Sequence, residues 1–270
     1  MTVVGIDVGG SKIAVGSVDV TSGNVLELLR IPTQAERGGD DVLRSCVDAA
    51  SEIAGGRRVA VGIGICELVD PAGVVTSGVT VDWRSCDLPA AFAALGPVRI
   101  ESDVRAAALA EGRFGAGTAF GSFLYVTVGT GISFSHVVEG VPYPGVRGNA
   151  IVVGAPPVER LASGRALAER AGVADAEAIF ADPEYDDLVE DAAGELGRAL
   201  AALVNAFDPA GVVIGGGLGL LPRYRERAVE LARPAIDADN ARTLPMVPAA
   251  LGDRSGVVGA ALTAAPLDPR

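Results

Sequence analysis

The chain has 270 residues, of which 49% are hydrophobic and 21% are charged, and its formal net charge is −12. This composition is typical of a globular protein and excludes a disordered one, and the length suffices for one large domain or two lobes with separate cores. The acidic balance argues against a nucleic-acid-binding protein, because phosphate backbones require a positive protein surface.

The N-terminal part of the chain alternates strand and helix patterns. Apolar and β-branched runs predict strands, and apolar residues at helical spacing predict helices. The strands are expected at 3–7, 12–20, 25–31, 59–65 and 98–101, and the helices at 40–54 and about 103–113.

The pattern starts again near residue 123, where a strand once more runs into a glycine turn and returns. This repetition indicates a duplicated α/β unit. The expected elements are strands at 123–128, 132–138 and 212–214, a turn at 139–140, and helices at 160–172, 187–207, 222–232 and 255–264.

The cysteines and the hydropathy limit the cellular setting. Cys46, Cys66 and Cys86 are widely spaced and odd in number, without a CxxC pair, which suggests neither a disulfide framework nor a zinc site. We see no signal peptide at the N-terminus and no apolar run of about 18 residues. We therefore expect a cytoplasmic protein with no membrane partner.

Three glycine-rich loops lie in order along the chain, and Asp103 lies between the first two. A phosphoryl-transfer enzyme built from two similar halves needs this order: two loops hold the ATP phosphates, a third glycine run lets adenosine approach the backbone, and a carboxylate deprotonates an alcohol. Lys12, in the first loop, is the only lysine in the chain. The predicted phosphate-binding residues are Asp7, Gly9, Gly10, Ser11, Lys12, Gly129, Thr130 and Gly131, and the predicted adenosine-binding residues are Gly215, Gly216 and Gly217.

Each of these residues also has a purely structural interpretation. Asp103 is our candidate general base; an aspartate here could also cap a helix that begins at Val104, and the two roles are compatible. Asp7 is our candidate to hold Mg²⁺ through water, but it also suits an Asx turn. The second and third glycine runs could be hairpin or strand-to-helix turns. His136, the only histidine, fits a strand position better than a catalytic one.

Eight segments together resemble the ROK family of sugar kinases, which have the two-lobed actin-like ATPase (ribonuclease H-like) fold. The resemblance implies an α/β protein whose duplicated lobes enclose an ATP cleft, with ATP and Mg²⁺ as co-substrate and cofactor, and a homodimer. It implies an N-terminal lobe at 1–108, a C-terminal lobe at 109–254, and a helix at about 255–266 that packs back on the first lobe. The segments are 5–16, 61–64, Trp83, 101–111, 126–132, 147–150, 213–217 and 256–261.

The departures from the family pattern lie in the hexose-binding half. A Glu and a His that contact the hexose are expected at Val152 and Ala155, and a sugar-contacting Asn is expected at Val79. The family's zinc cluster is missing, because no cysteine follows Cys86, and we expect no zinc. Cys66-Glu67 replaces a Pro-Gly pair, Ser102 replaces an Asn, and Arg105 replaces a small or amide residue.

The substrate site is therefore predicted from both retained and altered positions. Its candidate residues are Glu67, Ser102, Asp103, Arg105 and Asn149. Glu67 could accept substrate hydroxyl hydrogens or be a solvated loop charge. Arg105 could reach substrate, pair with Glu67, or lie on the surface, which we slightly favour.

We expect an ATP-dependent kinase that phosphorylates a primary hydroxyl of a hexose-like polyol. The resemblance to divergent ROK-like enzymes of secondary metabolism points to a C7-cyclitol of the valiolone or valienol type, with a hexose or aminohexose such as glucose or kanosamine as the alternative. A non-catalytic sugar-binding relative and a dinucleotide-binding oxidoreductase are the other hypotheses. The retained Asp7 and Asp103 oppose the first, and the missing GxGxxG fingerprint opposes the second.

Overall fold

The computed structural model describes residues 1–153 and 156–265, and ten strands form its framework. Eight of the strands lie where apolar and β-branched runs of the sequence predict them. The strands are β1 (Thr2–Val8), β2 (Lys12–Asp19), β3 (Asn24–Pro32), β4 (Val61–Ile65), β5 (Val98–Ser102), β6 (Ser122–Val128), β7 (Ile132–Val138), β8 (Val141–Pro142), β9 (Gly211–Gly215) and β10 (Met246–Pro248).

The described part of the chain has eight α-helices. Within that part, no helix is both long and apolar enough to cross a membrane. The helices are α1 (Gly39–Ala54), α2 (Leu88–Ala91), α3 (Asp103–Phe114), α4 (Pro156–Ala162), α5 (Gly164–Ala171), α6 (Asp186–Phe207), α7 (Pro222–Ala232) and α8 (Ser255–Ala264).

The strands form two five-stranded sheets with the same topology, which confirms the predicted duplication. The first has the order β3-β2-β1-β4-β5, and the second has the equivalent order β8-β7-β6-β9-β10. In each sheet an antiparallel meander of three strands continues into two parallel strands. The two glycine turns that join β1 to β2 and β6 to β7 therefore occupy equivalent places in the two halves.

The first sheet is covered on both faces, which explains why β1 and β4 are almost entirely buried. On one face lies α1, whose apolar stripe ends at Gly55 in the left-handed conformation. On the other lies α8, which packs so closely that a Cβ on Gly62 would overlap the carbonyl oxygen of Ala260. The small residues of this contact bring the two backbones together.

Glu111, a fully buried carboxylate, joins α3 to the segment that leads into α8. Its oxygens accept hydrogen bonds from the N–H groups of Ala116, Ala250 and Leu251 at 2.9–3.0 Å and from the Ser255 hydroxyl at 2.7 Å. Because α3 follows the first sheet and residues 250–255 follow the second, this carboxylate fixes the junction between the two halves.

The helix predicted at 160–172 is wrong, because the structure has two helices there. α4 ends at Ala162, and Ser163 caps α5 by accepting a hydrogen bond from the Ala166 N–H. The Gly164 N–H leaves the helical pattern and donates to the Gly129 carbonyl oxygen at 2.7 Å. The tertiary contact with the second glycine loop therefore breaks a periodicity that looks continuous. The short elements α2, β8 and β10 were not predicted.

The predicted lobe boundary at residue 108 lies inside α3, which spans both halves. The helix predicted at about 255–266 is observed at 255–264, and residue 266 lies outside the described residues. Val257, Val258 and Ala261 of α8 join a core cluster with Val3 and Val18 of the first sheet.

Candidate active site

The first glycine loop is the turn between β1 and β2. The Gly9 N–H donates to the Lys12 carbonyl oxygen at 3.0 Å, and the Thr33 hydroxyl donates to the Gly9 carbonyl oxygen at 2.7 Å. Ser11 and Lys12 are exposed at the tip. The loop therefore has a fixed backbone and presents a hydroxyl and an ammonium group to the cleft, both of which can donate to phosphate oxygens.

The second glycine loop, between β6 and β7, faces the first across the cleft. The Ser11 and Thr130 hydroxyl oxygens lie 3.0 Å apart and share a hydrogen bond. The Gly164 and Arg165 N–H groups of α5 donate to the carbonyl oxygens of Gly129 and Thr130 at 2.7 and 3.3 Å. The structure thus brings the two predicted phosphate loops together, although 119 residues separate Ser11 from Thr130.

Glu159, on α4, also contacts the second loop. Its carboxylate accepts a hydrogen bond from the Ile132 N–H at 3.1 Å, and a Cβ on Gly131 would lie 2.9 Å from its Oε1. Sequence reasoning missed this residue. Its only local signal is an acidic position beside a predicted helix, and its contact with the loop arises only in the tertiary fold.

Asp7 lies at the carboxyl end of β1 and is half-buried. Its carboxylate packs against Gly256 in the first turn of α8, where a side chain would clash with it. Burial raises the pKa of Asp7 to about 6, and the Lys12 charge opposes that rise. No hydrogen bond to this carboxylate forms within residues 1–153 and 156–265, so both oxygens are free for a ligand.

Asp103 is the first residue of α3 and lies close to β4, where a Cβ on Gly64 would come within 3.3 Å of its Cα. Because the helix begins at Asp103, Ser102 and not Asp103 takes the N-cap position, while Asp103 Oδ1 accepts a hydrogen bond from the Val104 N–H at 2.7 Å. Burial, and then the negative charge of Asp7, raise the pKa of Asp103 to about 7. A carboxylate that titrates near neutrality suits a general base.

A single cleft of about 1020 Å³ contains both carboxylates and all three glycine loops. This volume is at the upper end of the range for small-molecule sites, which fits two ligands side by side. No group of three or more His, Cys, Asp or Glu side chains that could hold a metal occurs within the described residues.

The third glycine run follows β9 at one end of the cleft. Gly216, with φ of +82°, and Gly217 line the cleft, whereas Gly215 is buried against the Tyr125 ring. A Cβ on Gly217 would lie 3.6 Å from Glu177 Oε1. The run thus forms a turn, and Gly216 and Gly217 also expose backbone to the cleft, while adenosine binding there stays a prediction.

Arg105 is buried, with 2% of its side chain exposed, so the surface position that the sequence favoured is wrong. It forms a salt bridge with Glu101 rather than the predicted pair with Glu67, and it donates to the carbonyl oxygens of Val69 and Gly148 at 2.6 and 2.7 Å. Glu101 lies four residues before Arg105, near the end of β5, and the sequence analysis overlooked this pair. Arg105 holds loops behind the cleft and does not line it.

Glu67 is only 3% exposed, so it is not a solvated loop charge. It lines the cleft, but its oxygens accept hydrogen bonds from residues 77–81 of its own half. Ser102 is fully buried, and its hydroxyl has no hydrogen-bond partner within the described residues. Asn149 is exposed, and neither it nor Ser102 lines the cleft.

Two exposed valines, Val79 and Val152, line the cleft. Val79 is 81% exposed and Val152 is 57% exposed, and both stand where the family pattern has sugar-contacting polar residues. Ala155, the other altered position, lies outside the described residues. At these two positions the lining of the cleft is apolar.

Trp83, one of the segments that carry the resemblance, and His136 both have structural roles. Trp83 is 1% exposed and belongs to the core of the first half. His136 shares a 2.9 Å hydrogen bond with the Ser122 hydroxyl and packs on Phe207, and burial lowers its pKa. His136 is thus the strand histidine that the sequence analysis favoured, away from the cleft.

Comparison with known proteins relates this arrangement to others. The model of the ROK family matches residues 3–266. The glucokinase of Streptomyces coelicolor is 29% identical over 317 aligned positions, which cover 98% of both chains. The structure resembles a ROK family glucokinase from Streptomyces griseus, solved with glucose and AMPPNP (TM-score 0.87, 27% identity, 98% and 99% coverage), and a ROK hexokinase from Thermus thermophilus (TM-score 0.76, 35% identity, 98% coverage of both).

Proposed function

This chain belongs to the ROK family, and we propose that it is an ATP-dependent kinase that phosphorylates a primary hydroxyl of a hexose-like polyol. Its fold is the actin-like ATPase fold of its structural neighbours, and its relatives support a sugar kinase. The observation that carries the proposal is the convergence of two phosphate loops, joined by the Ser11–Thr130 hydrogen bond, in the same cleft as Asp103.

Asp103 acts as the general base in this proposal. It takes the proton from the acceptor hydroxyl as that oxygen bonds to the γ-phosphorus, and the bond from the γ-phosphorus to the β–γ bridging oxygen breaks, so ADP leaves with that electron pair. Within the described residues its carboxylate accepts one hydrogen bond, from the Val104 N–H, so lone pairs remain free to accept this proton. Its pKa of about 7 makes the base available at physiological pH.

Backbone N–H groups and Lys12 supply the positive potential that a chain of net charge −12 needs in order to bind a polyphosphate. The free carboxylate of Asp7 fits Mg²⁺, which it would hold through water. When bound, the ion neutralises charge on the phosphates. Gly216 and Gly217 allow the adenosine to approach the backbone.

The substrate is the finer part of the proposal. Val79 and Val152 offer no hydrogen bonds to a sugar hydroxyl, so they favour an acceptor without an ordinary anomeric centre. We therefore favour a C7-cyclitol of the valiolone or valienol type, phosphorylated at its 7-hydroxyl during antibiotic biosynthesis. Glucose and aminohexoses such as kanosamine are the second candidates, because the curated relatives include glucokinases. The protein is proposed to act in the cytoplasm as a homodimer.

The test is an ATP-consumption assay with mass analysis of the product. Purified protein, Mg²⁺ and ATP are combined with glucose, N-acetylmannosamine, kanosamine or 2-epi-5-epi-valiolone, and Asp103→Asn serves as the control. A phosphorylated cyclitol that is absent with the variant supports the whole proposal. Glucose turnover at a sub-millimolar KM would refute the cyclitol assignment and leave the kinase. Absence of every product, with ATP binding retained, would refute the kinase for these acceptors and favour a binding protein.

A further inference from the structure

The cleft is lined by many more acidic than basic side chains. In the described part of the chain eight aspartates and glutamates line it, whereas the basic residues that line it are Lys12 and Arg165. A nucleotide brings several further negative charges, and a polyanion among carboxylates needs cations close to its phosphates. Because Lys12 lies at the tip of the first phosphate loop, Arg165 is the other side-chain cation that can serve this purpose.

The backbone of Arg165 is hydrogen-bonded to the second phosphate loop. Its N–H donates to the Thr130 carbonyl oxygen at 3.3 Å, and the N–H of the preceding Gly164 donates to the Gly129 carbonyl oxygen at 2.7 Å. A Cβ on Gly164 would lie 2.9 Å from that same oxygen, so the start of α5 packs directly on the loop. The Thr130 hydroxyl in turn shares a hydrogen bond with Ser11 of the first loop. Arg165 therefore lies beside the place where the two phosphate loops meet.

The guanidinium group of Arg165 has no partner among the described residues. The residue is exposed, and its side chain forms neither a salt bridge nor a hydrogen bond there. Glu169 lies one helical turn later on α5 and lines the same cleft, yet the two side chains do not pair. Arg170 of the same helix, by contrast, donates to the Leu161 carbonyl oxygen at 3.0 Å and pairs with Asp191. The charge of Arg165 is therefore available to a ligand in the cleft.

We infer that Arg165 binds the phosphates of the nucleotide from the side of the second loop, while Lys12 binds them from the first. The inference rests on the nucleotide site of the proposed function and adds to it a phosphate-binding residue on α5. A guanidinium group donates several hydrogen bonds to phosphate oxygens in a fixed planar geometry, and it stays charged throughout the physiological pH range. Positive charge on both loops offsets the repulsion between the phosphates and the surrounding carboxylates.

The test measures nucleotide affinity, so it does not require the acceptor to be known. Arg165→Gln and Arg165→Lys are compared with the wild type for the Kd of ADP and the Kd of adenosine, both in the presence of Mg²⁺, and for the melting temperature without ligand. Arg160→Gln is the matched control, because Arg160 lies on the neighbouring α4, is exposed and does not line the cleft. This control removes the same formal charge from the protein but leaves the cleft unchanged.

Arg165→Gln is expected to weaken ADP binding about tenfold, the effect of losing a hydrogen bond between charged groups at an exposed site. The Kd of adenosine should change less than about twofold, because the lost contact is to phosphate. Arg165→Lys keeps the charge but not the planar donors, so it should weaken ADP binding less than Arg165→Gln does. Arg160→Gln should leave both Kd values unchanged, and every variant should melt within about 2 °C of the wild type.

An unchanged Kd of ADP in Arg165→Gln would overturn the inference and leave the proposed function intact. Equal losses of affinity for ADP and adenosine would also overturn it, because Arg165 would then maintain the shape of the cleft rather than bind phosphate. An equal loss of ADP affinity in Arg160→Gln would attribute the effect to net charge, with the same consequence. A wild-type protein that binds ADP but phosphorylates no acceptor would refute the phosphoryl transfer alone, whereas one that binds no ADP would refute both proposals.

Discussion

Acidification is expected to inactivate this protein by protonating Asp103. The pKa of its carboxyl is raised from 3.8 to about 7, first by burial and second by the negative charge of Asp7. A general base acts only when deprotonated, so activity should rise with pH through about 7. One unit below the pKa about one carboxyl in eleven is ionised, which predicts about a tenfold loss at pH 6 and about a hundredfold loss at pH 5.

The assay is the rate of ADP formation from pH 5 to 9 with both substrates below their KM, so that the free enzyme determines the profile. Asp7→Asn provides the second measurement. Removing the neighbouring charge should lower the pKa of Asp103 and move the acidic limb to lower pH, in addition to any loss of rate. A limb near pH 4, or a limb that Asp7→Asn moves to higher pH, would refute this reasoning.

The same shift has a consequence for stability, and its sign is fixed by linkage. The folded state binds a proton at Asp103 up to about pH 7, and the unfolded chain releases it near pH 3.8, so the free energy of unfolding falls as the pH rises through this window. A shift of about 3 units corresponds to roughly 4 kcal/mol as an upper bound. Asp103→Asn should therefore abolish activity yet raise the melting temperature at pH 8 more than at pH 4. Equal effects at both pH values would contradict the assigned pKa.

Three further predictions concern packing, the junction and the metal. Gly62→Ala should lower the free energy of unfolding by about 3 kcal/mol, because the new Cβ overlaps the Ala260 carbonyl oxygen. The control Gly121→Ala, whose Cβ would meet no atom within 4 Å, should change this free energy by less than about 0.5 kcal/mol. Equal losses for the two variants in denaturant unfolding would be inconsistent with the packing of α8. Glu111→Gln should lower the free energy of unfolding by about 2–3 kcal/mol in the same assay, because an amide cannot accept the hydrogen bonds of all four donors. An unchanged free energy would mean that the junction does not depend on this carboxylate. Chelation of Mg²⁺ should abolish activity. Asp7→Asn should raise the Mg²⁺ concentration that gives the half-maximal rate roughly tenfold. An unchanged Mg²⁺ requirement would show that Asp7 does not hold the metal.

Most strands and helices were predictable from the sequence, because elements that pack one face on the core have a strong periodicity of apolar residues. The bounds of α1, α3, α6 and α7 differ from their predicted ranges by one residue or less. The prediction at 160–172 failed because the Gly164 and Arg165 N–H groups donate to carbonyl oxygens of the second glycine loop, a contact that no local pattern encodes, and because Ser163 caps a new helix there.

The candidate site was predictable where glycine sequence and backbone geometry coincide, as in the three loops. The site was unpredictable where a side chain could either bind a ligand in the cleft or hold the surrounding loops by hydrogen bonds. Glu67 and Arg105 were both predicted to contact substrate, and both bond to the backbone of neighbouring loops, although Glu67 also lines the cleft and Arg105 does not. The sequence cannot distinguish a charged side chain that holds a loop from one that binds a ligand, because the same residue types serve both roles and a buried charge needs hydrogen-bond partners in either case.

The position of α8 near the end of the chain constrains the order in which the two halves fold during synthesis. The first sheet needs residues 255–264 to cover one of its faces, with Gly5 and Gly62 shaped to receive them. During synthesis the first half emerges long before this helix does, so Val3 and Val18 remain exposed to solvent while the second half folds. A fragment that ends before residue 255 should therefore be aggregation-prone, and the first half should reach its final structure only after the second.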